Sequence, residues 1–155
     1  MAQSDDTRAQ VFSIADAAAQ LVESEFGDLG VRVDHFPETD DRWTQCTDEL
    51  VDDTEVPVAI QWTTARNFIF DTPRETASMI DEVASTYVGQ GWEQGDDELL
   101  TAGGGRSVTF HKDGYVMMWG GETEVDPERV TSLGLKVVGP CIPAPQDIRE
   151  WEPGA

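Results

Sequence analysis

Apolar residues recur along this chain with two periods, and the changes of period mark its elements. Val11, Ile14, Ala15, Ala18, Leu21 and Val22 fall at three- and four-residue steps, so they share one stripe of a helix. That stripe predicts a helix from about Asp6 to Phe26, with Asp5 and Asp6 placing negative charge at its N-terminal end and Gly27 and Gly30 closing it. A second helix is marked by Thr72 as N-cap, Pro73 at the first helical position and Glu75 three residues after Thr72, the spacing of a capping box. Its apolar face is Ala77, Ile80, Val83, Ala84, Tyr87 and Val88, and Gly89 and Gly91 end it.

Elsewhere the period falls to two. Val56, Val58, Ile60 and Trp62 alternate with Pro57, Ala59, Gln61 and Thr63, as in a strand with one buried face. Val31 with Val33, and Trp43 with Cys46, predict two shorter strands before it. After the second helix, strands are expected near Glu98 to Ala102, Arg106 to His111, Tyr115 to Trp119 and Thr131 to Val138. Gly103, Gly104 and Gly105 read as a turn, as do Gly120 and Gly121, while Asp113-Gly114 is the pair that a two-residue hairpin favours. Val108, Phe110, Leu133, Leu135 and Val137 hold one parity, and Ser107, Thr109, His111, Ser132 and Lys136 the other. Such alternation belongs to an antiparallel sheet with helices on one face and water on the other. The predicted fold class is therefore α+β, a two-layer sandwich in which two helices pack on one face of an antiparallel sheet. A single domain is expected over residues 7–145, after a disordered N-terminal segment, 1–6, and before a Pro-rich tail, 146–155, that is flexible or strapped to the body.

Charge narrows what such a domain can bind. The chain carries 31 acidic and 10 basic residues, a formal net charge of -21, which opposes both nucleic acid phosphates and anionic membrane surfaces. No apolar run approaches the length of a spanning helix, so no direct membrane insertion by this chain is expected, and its first residues lack the basic and apolar regions of a signal peptide. The acids crowd into Glu38 to Glu55 and Glu122 to Glu128, which read as solvated loops. Within the first stretch Asp48, Glu49, Asp52 and Asp53 form, with Trp43 and Trp151, a candidate partner surface, because these two tryptophans sit in polar surroundings and are expected to be exposed or interfacial. Trp62 and Trp92 are expected in the core.

Recognisable chemistry is sparse. His35 shares parity with Val31 and Val33 and is expected in the core or at a sheet edge, while His111 precedes a tight turn and is expected in solvent. Neither stands near the Ser, Cys or carboxylate partners of a nucleophilic triad. The Gly103 to Gly105 run lacks the lysine of a phosphate loop, and the acidic stretches lack the D-x-D-x-D-G spacing of a calcium loop. No catalytic, cofactor or metal residue is assigned.

Cys46 and Cys141 are the only cysteines. They suit either a disulfide between the early loop and the end of the last strand, which needs an oxidising compartment, or two buried free thiols in the cytosol. No CxxC or histidine cluster accompanies them to suggest a metal. The order of a helix, strands with a Cys, a helix ending in Gly91-Trp92, a meander through Lys112-Asp113-Gly114-Tyr115 and a last strand entering Gly139-Pro140-Cys141-Ile142-Pro143 resembles the mature domains of small actinobacterial lipoproteins of unknown function. The resemblance covers roughly residues 7–145. It implies a cell-surface domain, anchored through a lipidated cysteine in the full-length precursor, with a disulfide equivalent to Cys46 with Cys141. No lipobox cysteine is present in this chain.

These readings point to a non-catalytic extracytoplasmic domain, secreted or lipid-anchored, that binds a protein or small-molecule ligand. The alternative is a cytosolic acidic inhibitor, of the immunity type, that neutralises a basic protein partner. A hydrolase built on His35 or His111 ranks third.

Overall fold

The computed structural model describes residues 2–47, 49–100 and 105–153, so Asp48 of the candidate surface, Thr101 and Ala102 of a predicted strand and Gly103 and Gly104 of a predicted turn lie outside the described residues. Helix α1, Ala2–Phe26, buries Val11, Ala15, Ala18, Val22 and Phe26 on one stripe, as its periodicity predicts. It begins earlier than the stripe suggests, because residues 2–6, expected to be disordered, are helical. Ser4 is buried there and its Oγ accepts a 3.0 Å hydrogen bond from the indole Nε1 of Trp62, which fixes the first turn. Gly30, with φ of 73°, adopts the left-handed conformation that turns the chain into β1, Val31–Asp34.

A one-turn helix that no pattern announced follows, α2, Pro37–Asp40, with Pro37 in its first turn and the carboxylate of Asp40 accepting from the N–H of Phe36 at 2.7 Å. Next come β2, Arg42–Gln45, and the long β3, Ala59–Phe70. Helix α3 spans Ala77–Gly89, followed by β4, Glu93–Leu100, β5, Gly105–Lys112, β6, Tyr115–Glu122, β7, Thr131–Val138, and the two-residue β8, Ile142–Pro143. Among the described residues the eight strands join one antiparallel sheet in the order β1-β3-β7-β6-β5-β4, with β2 and β8 also pairing with β3, and the sheet does not close on itself.

Strand parity sorts the core. Ile60, Trp62, Phe68 and Phe70 of β3, Val108 and Phe110 of β5, Met117 and Trp119 of β6, and Leu133, Leu135 and Val137 of β7 are all buried. Helix α1 contacts β3 and β7, and α3 contacts β6, β5 and β4. On the opposite parity Asn67, Ser107, Thr109, Met118 and Lys136 are half or fully exposed, while Thr63 and Ile69 of β3 are buried.

Four local expectations are corrected. The strand predicted from Val56 begins at Ala59, and Val58 is 66 % exposed, because the alternation ran into the loop that precedes β3. The capping box at Thr72 does not form: α3 starts at Ala77, and Glu75 itself caps it by accepting from the N–H of Ser78 at 2.8 Å. Val88, placed on the apolar face of α3, is exposed. Gly120 and Gly121 are no turn but lie within β6, where a Cβ on Gly121 would stand 2.8 Å from the backbone N of Ala77. Glycine at 121 is what lets the start of α3 touch the sheet.

Candidate functional site

Among the places in the described residues that concentrate polar side chains, three differ in what they leave available. The first is the predicted partner surface, which structure turns into a clasp. Cys46, just after β2, and Cys141, just before β8, form a disulfide with a Cα–Cα distance of 5.9 Å. The tail beyond it is strapped: Ile148 is buried, and Arg149 donates to the backbone carbonyls of Glu55 at 2.9 Å and Asp52 at 2.6 Å. Trp43 and Trp151 are half-buried, the first beneath the Arg149 guanidinium at 5.0 Å and the second edge-on to Trp62 at 4.8 Å. Both rings therefore hold the tail to the body. Asp52 is turned into its own loop, where the hydroxyl and the N–H of Thr54 hold its carboxyl below the usual carboxylate range. Glu49 and Asp53 face solvent, with Asp53 3.9 Å from Arg149.

The second place surrounds Asp41, a buried carboxylate that no sequence motif singled out. Its Oδ1 accepts from the Thr64 hydroxyl at 2.6 Å and meets His35 Nε2 at 2.7 Å, with Arg66 at 3.9 Å. Arg66, buried at 5 % side-chain exposure, donates to Thr64 Oγ1 and pairs with Asp16 of α1 at 3.3 Å. The order is Arg66 to Thr64 to Asp41, with His35 on the far side. Thr64 gives its proton to the carboxylate rather than to the imidazole and is only 1 % exposed, so the cluster does not present an activated hydroxyl. Its work is structural: β1 pairs with β3 from Asn67 to Phe70 and β2 pairs with it from Ile60 to Thr63, so the polar side chains of residues 64 and 66 need partners from the connection between them. His35 is thus a half-buried edge histidine, as expected, and His111 is exposed.

The third place is a groove of about 840 Å³ between α1, the end of α3 and the β5–β6 hairpin. Its α1 wall is Gln3, Asp6, Thr7, Gln10, Ser13, Ile14 and Ala17, steps of three and four residues that form a mainly polar stripe beside the buried one. Gln90, Tyr87 and Trp92 come from the end of α3, and Lys112, Asp113 and Tyr115 from the hairpin.

Local chemistry sets both of those edges. Helix α3 ends in a Schellman motif, in which Trp92 N–H donates to Tyr87 at 3.0 Å and Gly91 N–H to Val88 at 3.1 Å, with Gly91 at φ of 93°. The ammonium of Lys112 donates to the Gln90 carbonyl at 2.7 Å, which ties the hairpin to the negative end of the helix. Asp113 and Gly114, with φ of 52° and 85°, make the mirror-image turn that their sequence announces. Beneath the groove, Tyr87 packs between Phe110 at 5.7 Å, Trp119 at 6.0 Å and Trp92 at 6.2 Å. Its buried hydroxyl has no hydrogen-bond partner among the described residues, and burial pushes its pKa well above the ordinary value. The side chains of Gln3, Asp6, Gln10, Ser13, Gln90 and Asp113 make no hydrogen bond to another described residue, so all remain free to engage a ligand.

No protein-family model, curated protein or solved structure gives a significant match to the chain. Among the described residues there is no group of His, Cys, Asp or Glu placed to hold a metal, and no helix long and apolar enough to cross a membrane. Sequence reasoning missed the groove because its wall is a polar stripe, which by pattern alone reads as a solvated helix face. The signal that was present is Gly91-Trp92 followed by Lys112-Asp113-Gly114-Tyr115, two turn motifs that each deliver an aromatic residue.

Proposed function

We propose that this chain is a non-catalytic extracytoplasmic domain, secreted or lipid-anchored in its full-length precursor, that acts by binding a ligand in the α1–α3 groove. The observation that carries this reading is the groove itself: about 840 Å³, a concave surface walled by polar side chains with unused hydrogen-bonding capacity and underlain by aromatic rings. The disulfide supports the compartment, since such bonds persist where the surroundings are oxidising. In this reading the domain is a two-layer sandwich with α1 and α3 on one face of the sheet, and the groove is the gap those two helices leave.

A cytosolic acidic inhibitor has less support. Asp52 spends its carboxylate on Thr54, Trp43 and Trp151 pin the tail, and a disulfide is unexpected in the cytosol. The test is chemical-shift mapping of the oxidised protein against a mixed library of small molecules, oligomers and peptides. Perturbations gathered on Gln10, Gln90, Lys112 and Tyr115 are expected. Perturbations confined to Glu49, Asp53 and Trp151 with basic peptides would overturn the groove reading in favour of the inhibitor.

A further inference from the structure

We infer that the groove takes a neutral saccharide. The assignment rests on the reading of the groove as the ligand site and adds the chemical class. The α1 wall from Gln3 to Ala17 extends roughly 20 Å at helical rise, which suits a short linear oligomer better than a single compact molecule.

Donor and acceptor types then narrow the class. Gln3, Gln10 and Gln90 bring amides that both donate and accept, Ser13 a hydroxyl that does the same, and Asp6 and Asp113 carboxylates that only accept. The partner that answers such a mixture is itself rich in groups that both donate and accept, which is the property of a polyol. An anionic ligand is disfavoured, because Lys112 is the one cation in the described lining, its ammonium is engaged by the Gln90 carbonyl, and Asp6 and Asp113 stand on the rim of a chain of net charge -21. A purely apolar chain would strand the amides and carboxylates without partners. A sugar ring offers hydroxyls at its edge and C–H groups on its face, and the half-exposed ring of Tyr115 supplies the surface for that face.

The test is titration of the isotopically labelled, oxidised full chain with maltohexaose, cellopentaose, an α-1,6-mannan oligosaccharide and an arabinan oligosaccharide. A heparin tetrasaccharide, dodecanoate and a Lys/Trp-rich peptide serve as the contrasting classes. The expected result is saturable shifts at Gln10, Ser13, Gln90 and Tyr115 with at least one neutral sugar, weaker or absent shifts with the heparin fragment, and about tenfold weaker binding in Tyr115→Ala. Because Tyr115 also packs against the core, Gln10→Ala at an exposed position is the second variant, and it too should weaken sugar binding measurably. Groove shifts with the peptide or dodecanoate but with no neutral sugar would overturn the saccharide assignment while leaving the groove as the site. If no probe of any class moves groove residues, and neither variant alters any binding seen elsewhere, the site reading falls as well.

Discussion

Removing the disulfide is the perturbation whose size the structure sets most directly. Cys46 and Cys141 are separated by 95 residues, so the crosslink closes most of the chain into a loop when the protein unfolds. In the chain-entropy treatment a loop of that size costs the unfolded state about 4.7 kcal/mol. The native state should not reorganise without the bond, because β8 pairs with β3 at Ile60, Gly139 N–H donates to the Trp62 carbonyl at 2.8 Å, and Ile148 remains buried. The Cys46→Ser, Cys141→Ser double variant should therefore fold and lose about 4 to 5 kcal/mol. With a urea slope of about 2 kcal/mol/M, its midpoint should fall by about 2 M. Trp62 and Trp119, 1 % and 0 % exposed, report the transition by fluorescence. The slope itself should rise, since the uncrosslinked denatured chain exposes more surface. A loss below about 1 kcal/mol would refute the reasoning, because it would mean that the denatured ensemble already holds the two cysteines near each other.

Other perturbations test separate contacts. Tyr87→Phe removes a buried hydroxyl that has no partner and should stabilise the fold by about 1 kcal/mol in chemical denaturation. The same group fixes a pH dependence. The unfolded tyrosine titrates near 10 and the folded one higher, because burial disfavours the phenolate, so stability is insensitive to Tyr87 ionisation below about pH 10 and falls as pH rises above it, and Tyr87→Phe should flatten that alkaline loss. Gly121→Ala drives a Cβ to 2.8 Å from the Ala77 backbone and should cost about 1 to 3 kcal/mol, read as a lower urea midpoint. Asp41→Ala removes the carboxylate that Thr64 and His35 meet and the buried counter-charge beside Arg66, for a loss of about 3 kcal/mol, and a double-mutant cycle with Arg66→Met should return a favourable coupling of about 1 kcal/mol or more.

What the sequence made legible were features governed by neighbours a few positions away. The α1 stripe, the Asp113-Gly114 hairpin, the limits of β7 and the glycine at the end of α3 all follow from local periodicity or from a backbone conformation that few residues tolerate. Failures occur where a distant partner decides. Thr72 and Glu75 hold a capping-box spacing, yet α3 begins at Ala77, where Thr76 Oγ1 accepts from the N–H of Glu122 on β6 at 2.8 Å. Gly120 and Gly121 look like a turn, yet both lie within β6, and it is Gly121 that the start of α3 touches. Asp41 looks like one more acid in an acidic run, and only pairing of β1 and β2 with the same strand makes it the buried partner of Arg66. Of the candidate partner surface, Arg149 of the tail reaches the Trp43 ring, the Asp52 carbonyl and the Asp53 carboxylate, while Trp151 packs on Trp62, contacts that no local pattern announces.

The tail and the groove meet through the first turns of α1, and this joins the clasp to the proposed site. Ser4, Asp5 and Arg8 face the tail side, where they line a second hollow with Trp62, Ile148 and Trp151, while Gln3, Asp6, Thr7 and Gln10 face the groove. Arg8 lies over the Trp62 ring at 5.3 Å and Ser4 accepts from its indole N–H, so the ring that Trp151 packs against is the one that holds the helix start. An isolated N-terminal turn would fray, because its first N–H groups lack helical partners. Here the strapped tail supplies the packing that keeps those turns helical, and with them the Gln3 end of the groove wall. The helical start, residues 2–6, and the strapped tail meet on one ring: Ser4 accepts from the Trp62 indole N–H, and Trp151 packs edge-on to the same indole.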